Sequence, residues 1–76
     1  MKSVNISLSS IDKVKGLVNV LSAYNGDFDL SSERYKVDAK SIMGIFSLDL
    51  GKPLRLDIQN DDVSDEVIAK LKDYIV

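Results

Sequence analysis

Apolar and polar residues alternate in four short stretches of the chain, a period of two that is typical of β-strands with one buried face. The apolar positions of the four predicted strands are Val4, Ile6 and Leu8; Phe28 and Leu30; Tyr35 and Val37; and Leu54, Leu56 and Ile58. The polar turn Ser31-Ser32-Glu33 joins the second and third strands into a predicted β-hairpin. Because strands buried on both faces would be continuously apolar, this alternation predicts an antiparallel sheet with one face in water.

A helix is predicted from Ile11 to about Tyr24, because its apolar residues recur at spacings of three and four. These apolar residues are Ile11, Val14, Leu17, Val18 and Leu21. Ser9 lies three residues before Asp12, a spacing at which the two side chains can cap the first turn. Gly26 follows the helix and is suited to a positive φ at its exit. The sequence therefore predicts both ends of this helix.

Two more helices complete the predicted fold. A short helix interrupted by Gly44 follows Ser41, and a last helix follows the polar stretch Asn60-Asp61-Asp62. The apolar stripe of the last helix consists of Val67, Ile68, Leu71 and Ile75. The helices must cover the apolar face of the sheet. We therefore predict an α+β fold in the order β-α-β-β-α-β-α. It is an open-faced two-layer sandwich, a four-stranded antiparallel sheet with three helices on one face, and forms a single domain over residues 1–76.

Composition excludes several classes of function. The 76 residues include no cysteine and no histidine, so we expect no metal and no cofactor. Ten basic and twelve acidic residues give a net charge of −2, which does not favour nucleic acid. No apolar run approaches the roughly 18 residues that span a bilayer, and the N-terminal residues lack the apolar centre of a signal peptide. We expect a cytoplasmic protein that does not bind membranes.

The segment Lys40–Leu50, which reads Lys-Ser-Ile-Met-Gly-Ile-Phe-Ser-Leu-Asp-Leu, is the most informative stretch of the chain. It resembles the regulatory-serine region of HPr, the small histidine-containing phosphocarrier of the bacterial sugar phosphotransferase system. The residues that agree with the family pattern are Val37, Lys40, Ser41, Ile42, Met43, Gly44, Ser47 and Leu48. The resemblance is strong over residues 35–50 and rests elsewhere on element order and length, so it implies an HPr-like fold for the whole chain.

The carrier chemistry of HPr requires a histidine that this chain lacks. In the family, the first strand leads into a Gly-Leu-His-Ala-Arg-Pro-Ala motif, whose histidine accepts phosphate from phosphoenolpyruvate through the first enzyme of the system. An ungapped alignment places Ser10 at the position of the histidine and Asp12 at that of the arginine. A serine phosphate ester is far less labile than a phosphoramidate, and Asp12 would repel an incoming phosphate. We therefore predict an HPr-like protein that is neither a carrier nor an enzyme and that acts as a regulatory or protein-binding module.

Ser41 is the leading candidate for a regulatory site. The resemblance implies that HPr kinase/phosphorylase phosphorylates this serine. A phosphate there would meet free backbone amides at the positive end of the predicted helix. The alternative is a plain N-cap, which is worth about 1 kcal/mol.

Ile42, Met43 and Phe46 lie on the short helix at i, i+1 and i+4, so they can form an apolar protein-binding surface next to Ser41. In the family, the corresponding surface docks the kinase, the first enzyme and a catabolite-control transcription factor. The alternative is that these side chains belong to the core, where we place Ile45. Lys40 is a candidate to hold a phosphate or contact an acidic partner, and the alternative is an ordinary exposed lysine.

The remaining charged residues give no distinct site. The basic residues Lys13, Lys15, Lys36, Lys52 and Arg55 are too scattered for a basic patch, and the acidic cluster Asp61, Asp62, Asp65 and Glu66 fits the start of a helix. Two alternative functions stay open, a phosphocarrier that uses an unrecognised residue and a small self-associating structural module. We expect a monomer or a weak homo-oligomer.

Overall fold

The computed structural model describes residues 1–76 and contains one four-stranded sheet. Its strands are β1 (Lys2–Ile6), β2 (Phe28–Ser31), β3 (Lys36–Asp38) and β4 (Leu54–Ile58), arranged in the order β1-β4-β2-β3. Every pair is antiparallel, as the alternation predicts. Across the four strands, Val4, Leu56, Leu30 and Val37 lie opposite one another. This register places the apolar positions of all four strands on the same face.

Three helices, α1 (Ile11–Ser22), α2 (Ile42–Phe46) and α3 (Asp61–Lys70), complete the fold. The predicted element order and the α+β architecture are confirmed. The helices cover the apolar face, and α2 packs beside the edge strand β3 and against α1. Fifteen buried apolar residues form the core: Ile6, Leu8, Val14, Leu17, Leu21, Phe28, Leu30, Ala39, Ile45, Leu48, Leu54, Leu56, Ile58, Val67 and Leu71. No helix has the length and apolar character needed to cross a membrane.

The structure corrects both ends of α1. Ser10, and not Ser9, is the N-cap, because its extended backbone lets Oγ accept a hydrogen bond of 3.2 Å from the amide of Lys13. The helix ends at Ser22, before Tyr24, and Gly26 has its predicted positive φ of 108° in the loop beyond the cap. Ile11 was expected on the buried face but is 61% exposed. Periodicity alone does not show that the first turn of a helix lies at the surface.

Two further expectations on element limits are wrong. Tyr35 belongs to the turn before β3, because its amide donates to the Ser32 hydroxyl (3.2 Å) and not to a neighbouring strand. Its side chain is exposed. Ile75 lies beyond α3, where it forms an isolated antiparallel bridge with Ile6. The amide of Ser7 donates to the carbonyl of Tyr74 at 2.8 Å, so the C-terminal residues pair with the chain next to β1.

Asp57 points to the open face of the sheet, yet it is only 1% exposed. Its strand, β4, is central, so residues on both neighbouring strands flank the carboxylate. Ser3 Oγ donates to Asp57 Oδ1 at 2.6 Å, Arg55 donates from Nη2 to Oδ2 at 3.2 Å, and Arg55 Nε forms an ion-pair contact with Oδ1 at 3.0 Å. These bonds compensate for the loss of hydration that would otherwise disfavour a buried carboxylate.

We expect Asp57→Ala to lower the free energy of unfolding by about 2 to 4 kcal/mol, because it leaves the hydroxyl of Ser3 and the guanidinium of Arg55 without their acceptor. Urea denaturation monitored by circular dichroism measures the change. The matched control is Asp27→Ala at an exposed loop position, with an expected effect within about 0.5 kcal/mol. Equal stability of the two variants would contradict a stabilising role for the Asp57 contacts.

Candidate functional site

Ser41 is the N-cap of α2, with an extended backbone at φ −98° and ψ 105°. Its Oγ accepts a hydrogen bond of 3.2 Å from the amide of Gly44. A Cβ at Gly44 would lie 3.3 Å from both Ser41 Oγ and Val37 Cβ, so glycine permits the close packing of the serine, the helix and β3. The capping role considered for Ser41 is therefore observed, and its phosphorylation stays a prediction.

The side chains of Ile42, Met43 and Phe46 form the exposed surface of α2 and are called the α2 patch below. They are 37%, 82% and 42% exposed, respectively, whereas Ile45 in the same helix is completely buried. Their predicted exposure is confirmed, as is the assignment of Ile45 to the core. Apolar side chains grouped at the surface next to a polar cap are typical of a protein-binding surface.

Lys40 was a candidate to hold a phosphate on Ser41, but its side chain is bound to other groups. Its Nζ donates to the backbone carbonyl oxygens of Tyr24 at 2.8 Å and Gly26 at 3.3 Å. The same ammonium lies 5.2 Å from the centroid of the Phe28 ring, within the range of a cation–π contact. Lys40 thus connects the start of α2 to the loop after α1. Its predicted role in partner binding gains no support from these contacts.

Asp38 is the acidic residue closest in sequence to Ser41, and its backbone carbonyl accepts a hydrogen bond from the Ser41 amide at 3.0 Å. Its carboxylate accepts from the amide of Lys40 at 2.9 Å. A phosphate on Ser41 would therefore have an anionic neighbour, while the ammonium of Lys40 is bound elsewhere. Local charge alone would not hold such a phosphate on the protein, so it would be free to meet a partner.

Ser10, placed by the alignment where the family has its histidine, is the exposed N-cap of α1. Its hydroxyl oxygen is engaged by the amide of Lys13, and the chain has no histidine or cysteine that could act with it. The usual way to activate a serine needs an adjacent base. The arrangement observed at Ser10 is thus that of a helix cap, and its correspondence to the lost histidine stays a prediction.

The acidic cluster occupies the start of α3, as expected. The amide of Asp62 donates to Asn60 Oδ1, which caps the helix. The N-terminal ammonium of Met1 contacts Asp61 at 2.7 Å, and this hydrogen bond and charge lower the pKa of the Asp61 carboxyl. Asp65 is paired with Lys2. The side chains of the cluster therefore stabilise the helix end and tie it to the N-terminus.

A group of basic residues near the hairpin turn is not apparent from the sequence. Lys36, Lys52 and Arg55, interpreted as scattered, line two adjoining grooves together with Arg34. Arg34 lies in the turn before β3, Lys36 in β3, Lys52 in the loop before β4 and Arg55 in β4, so only the fold brings them together. The expectation that the chain has no basic patch is wrong at this place.

The fold and the site define a small open-faced α+β domain that presents a capped serine next to an exposed apolar helix surface. A sequence model described as the PTS HPr component phosphorylation site matches residues 13–76. The crystal structure of HPr-C-His from Thermoanaerobacter tengcongensis superimposes with a TM-score of 0.79 and 31% identity, over 96% of this chain and 89% of that chain. The chain therefore belongs to the HPr family of phosphotransferase-system phosphocarriers, as its sequence indicates.

A search of curated protein sequences finds no significant match. The family match begins at Lys13 and therefore does not include Ser10 or Asp12, the two positions that the ungapped alignment assigns to the histidine motif. It does include Ser41 and the α2 patch.

Met43→Asp is expected to leave the free energy of unfolding within about 0.5 kcal/mol of the unsubstituted protein, because the side chain is 82% exposed. The matched control is Ile45→Asp, two residues along the same helix, which buries a carboxylate and should unfold the domain. Thermal and urea denaturation measure both effects. Unfolding of Met43→Asp would show that this side chain is needed for folding and would remove it from the proposed binding surface.

Proposed function

We propose that this HPr family member is a regulatory protein-binding module without carrier activity, that it binds partners through the α2 patch, and that phosphorylation of Ser41 controls this binding. The observation that carries the proposal is the position of the Ser41 hydroxyl at the start of α2, followed directly by the exposed side chains of Ile42 and Met43. Ser41 and the α2 patch that its phosphorylation would control are thus neighbours at the start of one short helix.

The missing histidine supports the absence of carrier activity. Phosphate transfer needs a nucleophile that forms a labile adduct, and cationic or amide groups that stabilise the transferring charge. Ser10 offers an alcohol that caps α1, and Asp12 adds a negative charge to the first turn. A serine ester at this position would retain its phosphate. A protein that acts only by binding its partners needs neither the nucleophile nor the stabilising cationic and amide groups.

Phosphorylation would change the charge of the binding surface more than its shape. A phosphoserine carries about −1.5 to −2 charges at neutral pH. At Ser41 this charge would lie beside three apolar side chains and near Asp38, while the ammonium of the adjacent Lys40 is bound to backbone carbonyls. A partner with an apolar pocket and adjoining basic side chains would therefore bind the phosphorylated form more tightly, whereas an acidic partner would be repelled.

The family suggests which proteins to test as partners. HPr kinase/phosphorylase is the expected modifying enzyme, and a transcription factor or another component of the phosphotransferase system is the expected target. In the family, contact with the transcription factor also uses the arginine of the histidine motif, where this chain has Asp12. The substitution reverses a charge, so we propose that the target differs from the one that binds carrier HPr. These encounters would take place in the cytoplasm.

Incubation with an HPr kinase and ATP should add one phosphate, and peptide mass spectrometry should locate it at Ser41. The Ser41→Ala variant should stay unmodified, whereas Ser10→Ala, which removes the corresponding cap of α1, should be modified normally. Met43→Asp should slow the modification because it places a charge on the docking surface. An unmodified Ser41 with several active HPr kinases would contradict the regulatory part of the proposal.

Incubation with phosphoenolpyruvate and the first enzyme of the phosphotransferase system should leave the protein unlabelled, because no histidine is present to accept the phosphate. A carrier HPr labelled in the same tube shows that the enzyme is active. Transfer of phosphate to this protein would support the alternative of a carrier that uses another residue, and a Ser10→Ala variant would then test whether Ser10 is the acceptor.

A further inference from the structure

Two adjoining grooves flank the turn between β2 and β3, and together they are called the turn groove below. Their volumes are ≈ 520 and ≈ 440 Å³. Both are lined by the turn residues 32–35 and by Pro53. One extends to the loop between α2 and β4, and the other extends over the open face of the sheet. No residue of the α2 patch lines either groove, so the turn groove is a separate surface.

The residues that line the turn groove carry a net charge of +2, on a chain whose net charge is −2. Its lining includes four of the ten basic residues, Arg34, Lys36, Lys52 and Arg55, but only two of the twelve acidic residues, Glu33 and Asp49. Lys36 and Arg55 are paired with Asp29 and Asp57, respectively. Arg34 and Lys52 form no ion pair within the protein, so these two cations are available to a ligand.

Internal hydrogen bonds and ion pairs hold the backbone of the turn that carries Arg34 and the guanidinium of Arg55 on the sheet. In the turn, Ser32 Oγ accepts from the amides of Arg34 at 3.3 Å and Tyr35 at 3.2 Å, and the Ser32 amide donates to the Tyr35 carbonyl at 2.9 Å. On the sheet, buried Asp57 binds two nitrogens of Arg55, whose guanidinium keeps further donors free. A surface whose turn backbone and one guanidinium are already held loses less conformational entropy on binding an anion than a fully mobile surface would.

We propose that the turn groove binds an acidic segment of a partner protein, with carboxylates of that segment on Arg34 and Lys52. The cations lie in two connected grooves, a geometry that suits an extended chain with several carboxylates better than one small anion. Most of the residues that line the two grooves are polar or charged, unlike the largely apolar lining of cavities that enclose small molecules. Tyr35, 63% exposed where the grooves meet, offers a ring on which an apolar side chain of the segment can pack.

The test uses acetylated and amidated hexaglutamate as the probe, because six extended residues span about 20 Å, close to the 22 Å width of the molecule. Titration of the isotope-labelled protein at low salt, followed by amide chemical shifts, should perturb residues 32–36 and 52–55. The double variant Arg34→Glu/Lys52→Glu should weaken binding about tenfold. The matched control Lys15→Glu/Lys72→Glu makes the same change of net charge at exposed sites on other elements and should weaken it by less than about threefold.

Further titrations distinguish an acidic peptide from other ligands of the turn groove. Hexaglutamine should cause no perturbation, since it keeps the backbone and removes the charge. Inorganic phosphate that perturbs the same amides with equal affinity would overturn the assignment to a peptide. Equal weakening by the two double variants, or shifts spread over α1 and α3, would overturn the site itself. If the first double variant loses its dispersed amide spectrum, Arg34→Gln/Lys52→Gln replaces it with the same expected direction.

None of these outcomes depends on phosphorylation of Ser41 or on the α2 patch. Met43→Asp should bind hexaglutamate as the unsubstituted protein does, and Arg34→Glu/Lys52→Glu should still be a substrate for an HPr kinase if Ser41 is modified. Loss of hexaglutamate binding in Met43→Asp would therefore show that the turn groove had been assigned wrongly, and loss of modification in Arg34→Glu/Lys52→Glu would show the same for the α2 patch.

Discussion

The structure depends on the burial of the one apolar face of a four-stranded sheet. The central strand β4 pairs with β1 and β2, and this register brings Leu56 into line with Val4 and Leu30. A sheet of this kind folds only if helices cover the apolar face, since exposed apolar area of that extent is unfavourable in water. The same constraint leaves the other face open. It therefore determines where binding surfaces can exist, which is on the outer sides of the helices and on the uncovered face of the sheet.

The position of α2 follows from this constraint. The helix packs beside β3, the last strand of the sheet, and against α1, and it contributes Ile45 to the core. With only five residues and a glycine in its centre, it has little intrinsic stability, because isolated helices of such length do not persist in water. Packing of Ile45 and capping by Ser41 hold it in place. Ile42, Met43 and Phe46 are the residues that the core does not require.

Local sequence patterns were sufficient for the order of elements and the choice of sheet face, because alternation and helical periodicity reflect burial directly. They were also sufficient for the exposure of the α2 patch. They failed where a side chain depends on residues distant along the chain. Asp57 alternates like a solvated residue, yet Ser3 and the central position of β4 bury it. The contacts of Lys40 and the basic lining of the turn groove could not be predicted for the same reason, since they arise only when separate loops meet.

The phosphorylation that we propose for Ser41 would couple the stability of α2 to the charge of its surface. The hydroxyl that accepts from the amide of Gly44 is the group that a kinase would modify, and the patch begins at the next residue. A phosphate would exchange a neutral cap for a dianionic one at the positive end of the same short helix, which favours the helix while the carboxylate of Asp38 opposes the added charge. Because these effects act in opposite directions, the fold would change little on phosphorylation. The change would instead be seen by a partner that contacts the α2 patch and the phosphate together.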